Sequence, residues 1–245
     1  MNAAHQGIDG LDRQVIANAV SHWPLAGLAH SSYSVIYADP PWSFKAWSAR
    51  GESRSASRHY DCMTLSELCS LPVADLATKD AALFVWVVQP LIPQALHLIE
   101  AWGFTYKTVA FAWVKVKTGQ DRLFYAGEDV RLGLGYHTRS GFEQCWLATR
   151  GKGYQRLTRS EPQVIFAPVR EHSRKPDEVA EAIERLVGDV SRIELFARAK
   201  RNGWASYGNE REKFSPAGAE LGRSGDCCRP KLAGVCALDP APTDR

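Results

Sequence analysis

Residues 33–44 read YSVIYADPPWSF and join an apolar run to an acid, two prolines and two aromatic residues. The apolar first half predicts a buried β-strand. Pro40 and Pro41 end that strand, because proline lacks a donor N–H and fixes φ. The sequence therefore predicts a rigid ledge at the carboxyl end of the strand, which carries the carboxylate of Asp39 and the ring of Trp42.

Segments rich in β-branched and aromatic residues recur along the chain between helical patterns. Several are apolar at consecutive positions, as in ALFVWVV at 82–88, which is typical of strands covered on both faces. Strands are predicted near residues 34–38, 82–88, 108–116, 143–148, 164–168 and 192–197. Helices are predicted from a capping-box pattern at 64–67 and over 91–102 and 176–187. This alternation predicts the α/β class, with a mainly parallel sheet and helices on both faces.

Composition predicts the domain boundaries. Residues 1–30 are expected to form an N-terminal extension and residues 31–214 a single domain, whereas the Pro/Gly/Ser-rich residues 215–245 are expected to form a flexible tail. Within the domain, the Ser/Arg-rich segment 48–59 and the glycine-containing segment 119–141 are predicted to be loops.

The amino-acid composition is that of an ordinary globular protein, with 45% hydrophobic and 23% charged residues. No apolar run approaches the roughly 20 residues that span a bilayer, and the start carries no signal pattern, so we expect a cytoplasmic protein with no membrane partner. Six cysteines without a CxxC pair favour free thiols and no metal site. A net charge of +3 is too small to prove a nucleic-acid partner by itself.

Four predicted loops follow strands and should meet at one edge of the sheet. They contain Asp39 and the segments 48–59, 170–175 and 198–203. Because ligands of open α/β sheets bind at the carboxyl ends of the strands, this edge is the predicted active site.

The residues after the first strand suit chemistry on the exocyclic amine of adenine or cytosine. Such an amine is a poor nucleophile, since its lone pair is delocalised into the ring. The carboxylate of Asp39 and the carbonyl of Pro40 can each accept an N–H and free that lone pair for attack on an electrophilic methyl group. Trp42 or Phe44 offers a flat face for a base removed from its stack. The alternative is that Asp39 caps a turn and Trp42 lies in the core.

A second set of residues suits a nucleoside. Near the predicted strand 192–197, Glu210 can bind a ribose diol, Asn209 can hydrogen-bond ribose or adenine, and Phe196 can cover a purine. The alternative is a core strand followed by a polar turn. The sequence contains no G-x-G-x-x-G, which disfavours a nicotinamide-type dinucleotide site.

Between Tyr33 and Glu210 the chain resembles the MT-A70 family of S-adenosylmethionine-dependent adenine-N6 methyltransferases. The motifs that carry the resemblance occur in the family's order: DPPW, HYDCMTLSEL, ALFVWVV, AWGF, AFAWVK, SRKPDE, RIELFAR, GW and GNE. The family fold is a Rossmann-like methyltransferase with a permuted order, in which the catalytic strand comes first and the cofactor strand last. The resemblance implies S-adenosyl-L-methionine as the cofactor.

The resemblance also implies roles for individual residues. The catalytic motif that receives the adenine amine is Asp39, Pro40, Pro41 and Trp42. Lys175 matches the lysine near the methionine end of the cofactor, and Glu143 matches an acid on the substrate side. The implied contacts to adenosine and ribose are Phe196, Arg198, Asn209 and Glu210.

Two departures from the family pattern narrow these expectations. RNA-modifying eukaryotic members carry Pro-His-Asn after the ELFxR arginine, where this chain has Ala199-Lys200-Arg201, so cofactor contacts at 200 and 201 are not expected. They also end in Asn-Gln rather than Asn209-Glu210. The compact chain is more similar to bacterial or phage members, which are generally assigned to DNA.

Cations and aromatics on the two predicted loops are typical of a surface that binds phosphates and a flipped base. The predicted substrate-binding residues are Phe44, Arg54, Arg58, Tyr136, Arg139 and Glu143. A further run of cations at 150–159 is either part of this surface or a solvated face.

The sequence thus predicts a site-specific DNA adenine-N6 methyltransferase. The alternatives are methylation of RNA adenine or cytosine N4, and a catalytically silent partner that binds nucleic acid beside an active subunit. The chain is compatible with a homodimer or a heterodimer.

Overall fold

The structure of the protein is a computed structural model, which describes residues 24–43, 62–117, 126–133, 137–171 and 173–214. The predicted loop 48–59 and the predicted tail 215–245 lie outside these residues, and of the predicted N-terminal extension only residues 24–30 lie within them.

The described residues form a seven-stranded sheet with the spatial order β5-β3-β4-β2-β1-β6-β7. The strands are β1 (Tyr33–Ala38), β2 (Ala77–Val87), β3 (Thr105–Val116), β4 (Phe142–Arg150), β5 (Val164–Pro168), β6 (Arg192–Leu195) and β7 (Ala205–Tyr207). The strand that precedes Asp39 therefore lies inside the sheet, with β2 on one side and β6 on the other.

Six of the seven strands run in the same direction. The strand β4 runs against them, because it pairs antiparallel with both β2 and β3, whereas every other pairing is parallel. The carboxyl ends of the six parallel strands and the amino end of β4 consequently lie along one edge of the sheet, here called the carboxyl edge. The predicted mainly parallel sheet is confirmed.

Helices cover both faces of the sheet. Their bounds are α1 (Leu65–Ser70), α2 (Val73–Leu76), α3 (Ile92–Ala101) and α4 (Asp177–Val187). Successive residues of a strand point to opposite faces. Leu83 of β2 packs in one apolar cluster with Leu68 of α1 and Leu98 of α3, whereas its neighbour Phe84 packs in another with Ile183 of α4. This two-sided burial agrees with the continuous apolar run of β2 and confirms the Rossmann-like α/β fold.

Local signals in the sequence set several element ends. Thr64 caps α1 by accepting from the backbone N–H of Glu67, whose side chain accepts from the backbone N–H of Thr64. Gly188 ends α4 with a φ of 71°, a conformation that favours glycine. The short elements α2 and β7 were not predicted, since four and three residues carry too little periodicity.

Three shorter 3-10 turns complete the described elements, at Pro24–Gly27, Gln89–Leu91 and Gly127–Asp129. Within the described residues, none of the helices combines the length and the apolar character needed to cross a membrane.

Candidate active site at the carboxyl edge

Asp39 lies at the carboxyl edge directly after β1, and its side chain keeps 21% of its surface accessible. Its Oδ2 atom accepts a hydrogen bond from Nζ of Lys175 at 2.8 Å. Lys175 lies between β5 and α4, and its side chain is only 11% exposed. The pair therefore joins a cation and a carboxylate from two distant parts of the chain in a largely enclosed position, where such hydrogen bonds are strong.

Lys175 also contacts a second carboxylate. Its Nζ atom lies 3.4 Å from Oε2 of Glu143, and Lys115 at the end of β3 forms an ion pair with the same carboxylate. Partial burial opposes ionisation of Glu143, but Lys175 and Lys115 outweigh that effect and hold its pKa at about 2. Both acids of the site thus share one lysine, whose Nζ lies 5.4 Å from the centre of the Trp86 ring.

The backbone after Asp39 is fixed by hydrogen bonds as well as by proline. The N–H of Trp42 donates to the carbonyl of Pro40 at 2.8 Å. Met63 donates its N–H to the carbonyl of Pro41 at 2.8 Å and accepts from the N–H of Ser43 at 3.1 Å. Met63 belongs to the HYDCMTLSEL motif, so this second motif holds the first one in place.

The ring of Trp42 lies in the core. Trp42 is 5% exposed, and its Nε1 donates a hydrogen bond to the backbone carbonyl of Trp86 at 3.1 Å. This position is the one that the core interpretation of Trp42 predicts. Phe44, the other aromatic residue predicted to stack on a base, lies outside the described residues.

The predicted nucleoside contacts meet beyond the ends of β6 and β7. Nε of Arg198 lies 3.4 Å from Oε2 of Glu210, and Nζ of Lys213 lies 2.5 Å from Oε1 of the same carboxylate. Asn209 is exposed beside them, and Phe196 is half-buried with a φ of 59°, which is unusual for a bulky residue. These four predicted residues are brought together by the pairing of β6 with β7.

A glycine makes this arrangement possible. A Cβ at Gly208 would lie 2.7 Å from the backbone N and 2.8 Å from the backbone O of Ala197. The N–H of Ala197 donates to the carbonyl of Tyr207 at 2.9 Å, so the two chain segments cannot move apart without losing that bond.

This donor set fits an adenosine-bearing cofactor. A carboxylate can accept from both hydroxyls of a ribose, an amide can donate and accept, and an aromatic ring can cover a purine. Glu210, Asn209 and Phe196 supply one of each within a short stretch of the carboxyl edge.

A second polar network at this edge was not predicted from the sequence. Arg201 contacts Asp177 and Glu194, and Arg170 contacts Asp177 from the other side. Burial raises the pKa of Glu194 to about 6, against the opposing effect of Arg201. In the sequence, Asp177 is typical of the acids found at the start of a helix, so it gives no sign of this network. The signal that could have indicated the network is the presence of three arginines after β5 and β6 (Arg170, Arg174 and Arg201).

The predicted substrate cations are described only in part. Arg139 is exposed just before β4, at the carboxyl edge, and donates from Nε to the carbonyl of Gly133 at 2.6 Å. Arg131 and His137 are also exposed near that edge. The predicted substrate residues Arg54, Arg58 and Tyr136 lie outside the described residues.

The cation run at 150–159 is placed away from the site. Arg150 ends β4, which runs opposite to the other strands, so it lies at the far edge of the sheet, where its Nη1 donates to the carbonyl of Ala74 at 2.6 Å. The backbone N–H of Leu157 donates a hydrogen bond to the carbonyl of Leu186 near the end of α4, at the same far edge. This position away from the carboxyl edge favours the interpretation of the run as a solvated face.

In the part of the chain that the structure describes, no group of three or more His, Cys, Asp or Glu side chains could hold a metal ion.

The chain is similar to a known protein family and to several known methyltransferases. A model of the MT-A70 family matches residues 33–210. The Type II methyltransferase M.MunI of a Mycoplasma species is 32% identical over 199 residues, which are 75% of this chain and 79% of that protein. An N(6)-adenosine-methyltransferase MT-A70-like protein of Arabidopsis thaliana is 32% identical over 183 residues, and the human N(6)-adenosine-methyltransferase catalytic subunit METTL3 is 28% identical over 180 residues. In both of these cases 73% of this chain matches only 24% and 28%, respectively, of the longer relative.

Proposed function

The chain belongs to the MT-A70 family of S-adenosylmethionine-dependent adenine-N6 methyltransferases, and we propose that it methylates the N6 amine of adenine in DNA. The observation that carries the proposal is the position of Asp39, a partly exposed carboxylate at the end of an internal strand, held 2.8 Å from the ammonium of Lys175.

Two observations favour DNA over RNA. The bacterial Type II methyltransferase matches over 79% of its own length, whereas the adenosine methyltransferases match over about a quarter of theirs. The sequence also departs from the RNA-modifying members at Ala199-Lys200-Arg201 and resembles the compact members that are assigned to DNA.

Asp39 and Pro40 are proposed to orient the amine. The carboxylate of Asp39 accepts one N–H of the adenine amine, and the carbonyl of Pro40 accepts the other. That carbonyl already accepts from the N–H of Trp42, but a carbonyl oxygen has a second lone pair. Two fixed acceptors move the amine nitrogen toward tetrahedral geometry and localise its lone pair, which is the electrostatic preorganisation on which such catalysis depends. The proton leaves to Asp39 or to water after methyl transfer.

Lys175 is proposed to pair with both carboxylates of the site, Asp39 and Glu143. Its ammonium keeps both Asp39 and Glu143 supplied with a hydrogen-bond donor, so that two carboxylates can stand at one site without strong repulsion. Glu143 then offers an ionised acceptor on the substrate side, because its pKa is held at about 2. Phe44 is proposed as the surface on which the flipped base lies.

The cofactor is proposed to contact the residues beyond β6 and β7. Glu210 would bind the ribose hydroxyls, Asn209 the ribose or adenine, Phe196 the purine face, and Arg198 would hold Glu210 in position. Lys175 would lie near the methionine end. When bound, S-adenosylmethionine supplies an electrophilic methyl group on a sulfonium.

The proposal is tested by identifying the methylated nucleoside. The purified chain is incubated with methyl-labelled S-adenosylmethionine and either unmethylated heterogeneous DNA or total RNA, since the target sequence is unknown. Digestion and mass spectrometry should show N6-methyldeoxyadenosine in the DNA. Label confined to RNA, or found on cytosine N4, would contradict the proposal. The absence of label together with the absence of cofactor binding by calorimetry would favour a silent partner subunit.

A further inference from the structure

Arg201 occupies a position where the RNA-modifying relatives carry an asparagine that the resemblance links to the cofactor. In this chain its guanidinium faces two acids of the protein. Nη2 lies 2.8 Å from Oδ1 of Asp177, and Nε donates to Oε2 of Glu194 at 3.1 Å. The Arg201 side chain is 18% exposed and that of Glu194 is 14% exposed, so both groups are largely withdrawn from water.

Asp177 connects Arg201 to the loop that carries Lys175. Its second oxygen, Oδ2, accepts from Nη1 of Arg170 at 2.5 Å. Arg170 in turn donates from Nη2 to the backbone carbonyl of Lys175 at 2.9 Å. Burial opposes ionisation of Asp177, but Arg170 and Arg201 outweigh it and lower its pKa. Through Arg201 and Arg170, the ionised Asp177 thus links β6 to the backbone of Lys175.

Lys175 is placed by this chain of contacts at a point that cannot shift far. Its backbone is held by Arg170, Pro176 follows it with a φ of −65°, and its side chain reaches Asp39 and Glu143. A displacement of this backbone would lengthen the 2.8 Å contact to Asp39 unless the Lys175 side chain changed its rotamer to follow.

We propose that Arg201 is a positioning residue, which clamps the start of α4 to β6 through Asp177 and Glu194 and thereby holds Lys175 against Asp39. This inference rests on the proposed function as far as catalysis is concerned, but the positioning itself is a property of the chain without substrate.

The variant Arg201→Gln tests the proposal with two readouts. Since a misplacement of about 1 Å at a catalytic group can cost up to two orders of magnitude in rate, kcat for methyl transfer should fall roughly 10- to 100-fold. The Kd for S-adenosylmethionine should change by a smaller factor than kcat, because the nucleoside contacts lie elsewhere and only the methionine end of the cofactor is proposed to lie near Lys175. The variant Arg201→Lys keeps the charge and one of the two contacts, so it should recover part of the lost kcat.

The second readout needs no activity. Lys175 is only 11% exposed, so acetic anhydride should label it slowly in the wild-type chain. If Arg201 holds it, labelling of Lys175 measured by mass spectrometry should rise about threefold or more in Arg201→Gln, as expected for a locally loosened segment. The exposed Lys152 at the far edge serves as the internal reference and should not change.

A control lies on α4, the helix whose first residue contacts Arg201. Arg185 near the end of α4 forms a more exposed two-atom contact with Glu161, at 2.8 and 2.9 Å, far from Lys175. Arg185→Gln should leave both kcat and the labelling of Lys175 unchanged. If Arg201→Gln does not fold, Glu194→Gln removes one of the two acids that hold Arg201 and should raise the labelling of Lys175 in the same way.

Unchanged labelling of Lys175 in a folded variant would overturn the proposal, as would a loss of cofactor affinity that accounts for the whole loss of activity. If the wild-type chain methylates no nucleic acid, the proposed function fails, whereas the labelling experiment still decides whether Arg201 positions Lys175.

Discussion

Oδ2 of Asp39 and Nζ of Lys175 lie 2.8 Å apart, although 136 residues separate them in the chain. The contact forms because β1 and β5 both end at the carboxyl edge, and the loop after β5 crosses toward β1 before α4 begins. Glu143 joins the same lysine only because β4 runs against its neighbours and starts at that edge. The ammonium of Lys175 therefore contacts two carboxylates, one after the end of β1 and one at the start of the antiparallel strand β4.

Replacing Lys175 by Met should remove the shared cation while keeping a side chain of similar length. Asp39 and Glu143 then lose a common partner, so we expect methyl transfer to fall by at least about tenfold. The pKa of Glu143 should rise from about 2, since Lys115 alone remains beside it. Titration of the Glu143 carboxyl by NMR checks this, and an unchanged pKa would contradict the assigned contact.

The same change should alter acid stability in a defined direction. The pKa of Glu143 is lower in the folded chain than the ordinary 4.5, so its contribution to stability is present above about pH 4.5 and is lost as the pH falls toward 2. In Lys175→Met that loss should be smaller. Urea unfolding of both proteins between pH 5 and pH 2 measures it, and identical pH profiles would argue against the pair.

Replacing Trp42 by Leu, which removes the flat aromatic face, separates the two interpretations of this residue. If Trp42 is a core residue, the variant loses the hydrogen bond from Nε1 to the Trp86 carbonyl and some packing, which should lower the free energy of unfolding by about 1–3 kcal/mol. The KM for DNA should change little. A raised KM for DNA with unchanged stability would show instead that a base stacks on this ring.

Much of the fold follows from the sequence because its strands are strongly apolar and its helix ends carry local signals. The predicted strand at 164–168 has the observed bounds of β5, and the capping box at Thr64 begins α1. The residues that the resemblance assigned to the cofactor lie together beyond β6 and β7, although β7 itself is too short to predict.

The direction of β4 and the ion pairs of the site could not be predicted. An apolar run such as QCWLAT is the same whether a strand runs parallel or antiparallel. The sequence AFAWVK predicts only that Lys115 lies near the end of a strand. Its contact with Glu143 depends on the pairing of β3 with β4, which the sequence does not show. The resemblance assigned Asp39 to the substrate and Lys175 to the cofactor, and gave no sign that they bind each other.

Replacing Gly208 by Ala should disturb the nucleoside contacts. The new Cβ would overlap the backbone of Ala197, which cannot give way as a flexible side chain can, so we expect a loss of about 1–3 kcal/mol in stability. Cofactor affinity should fall by roughly tenfold or more, since Phe196 and Asn209 flank the overlap. Calorimetry with S-adenosylmethionine measures this.

Gly127→Ala is the matched control for that variant, because a Cβ there meets nothing within 4 Å. It should change neither stability nor cofactor affinity appreciably. Equal effects of the two substitutions would show that the contact between Gly208 and Ala197 has no special role.

Glu194 should make the protein less stable as the pH rises through about 6. Burial raises its pKa to about 6, above the ordinary 4.5, so the folded chain holds this proton more tightly than the unfolded chain does. The resulting stability is complete below about pH 4.5 and is lost above about pH 6, and the difference corresponds to about 2 kcal/mol. Glu194→Gln cannot ionise, so its unfolding free energy should lack this dependence. Parallel profiles for wild type and variant between pH 4 and pH 7.5 would contradict the assignment.

The most direct test of the account is the variant Asp39→Ala, assayed for methyl transfer to DNA and for binding of S-adenosylmethionine on the same preparation. If Asp39 receives the adenine amine, methyl transfer should be abolished while the Kd for the cofactor stays within about tenfold, which corresponds to about 1.4 kcal/mol. Retained methyl transfer, or a complete loss of cofactor binding, would show that this carboxylate does not have the role assigned to it.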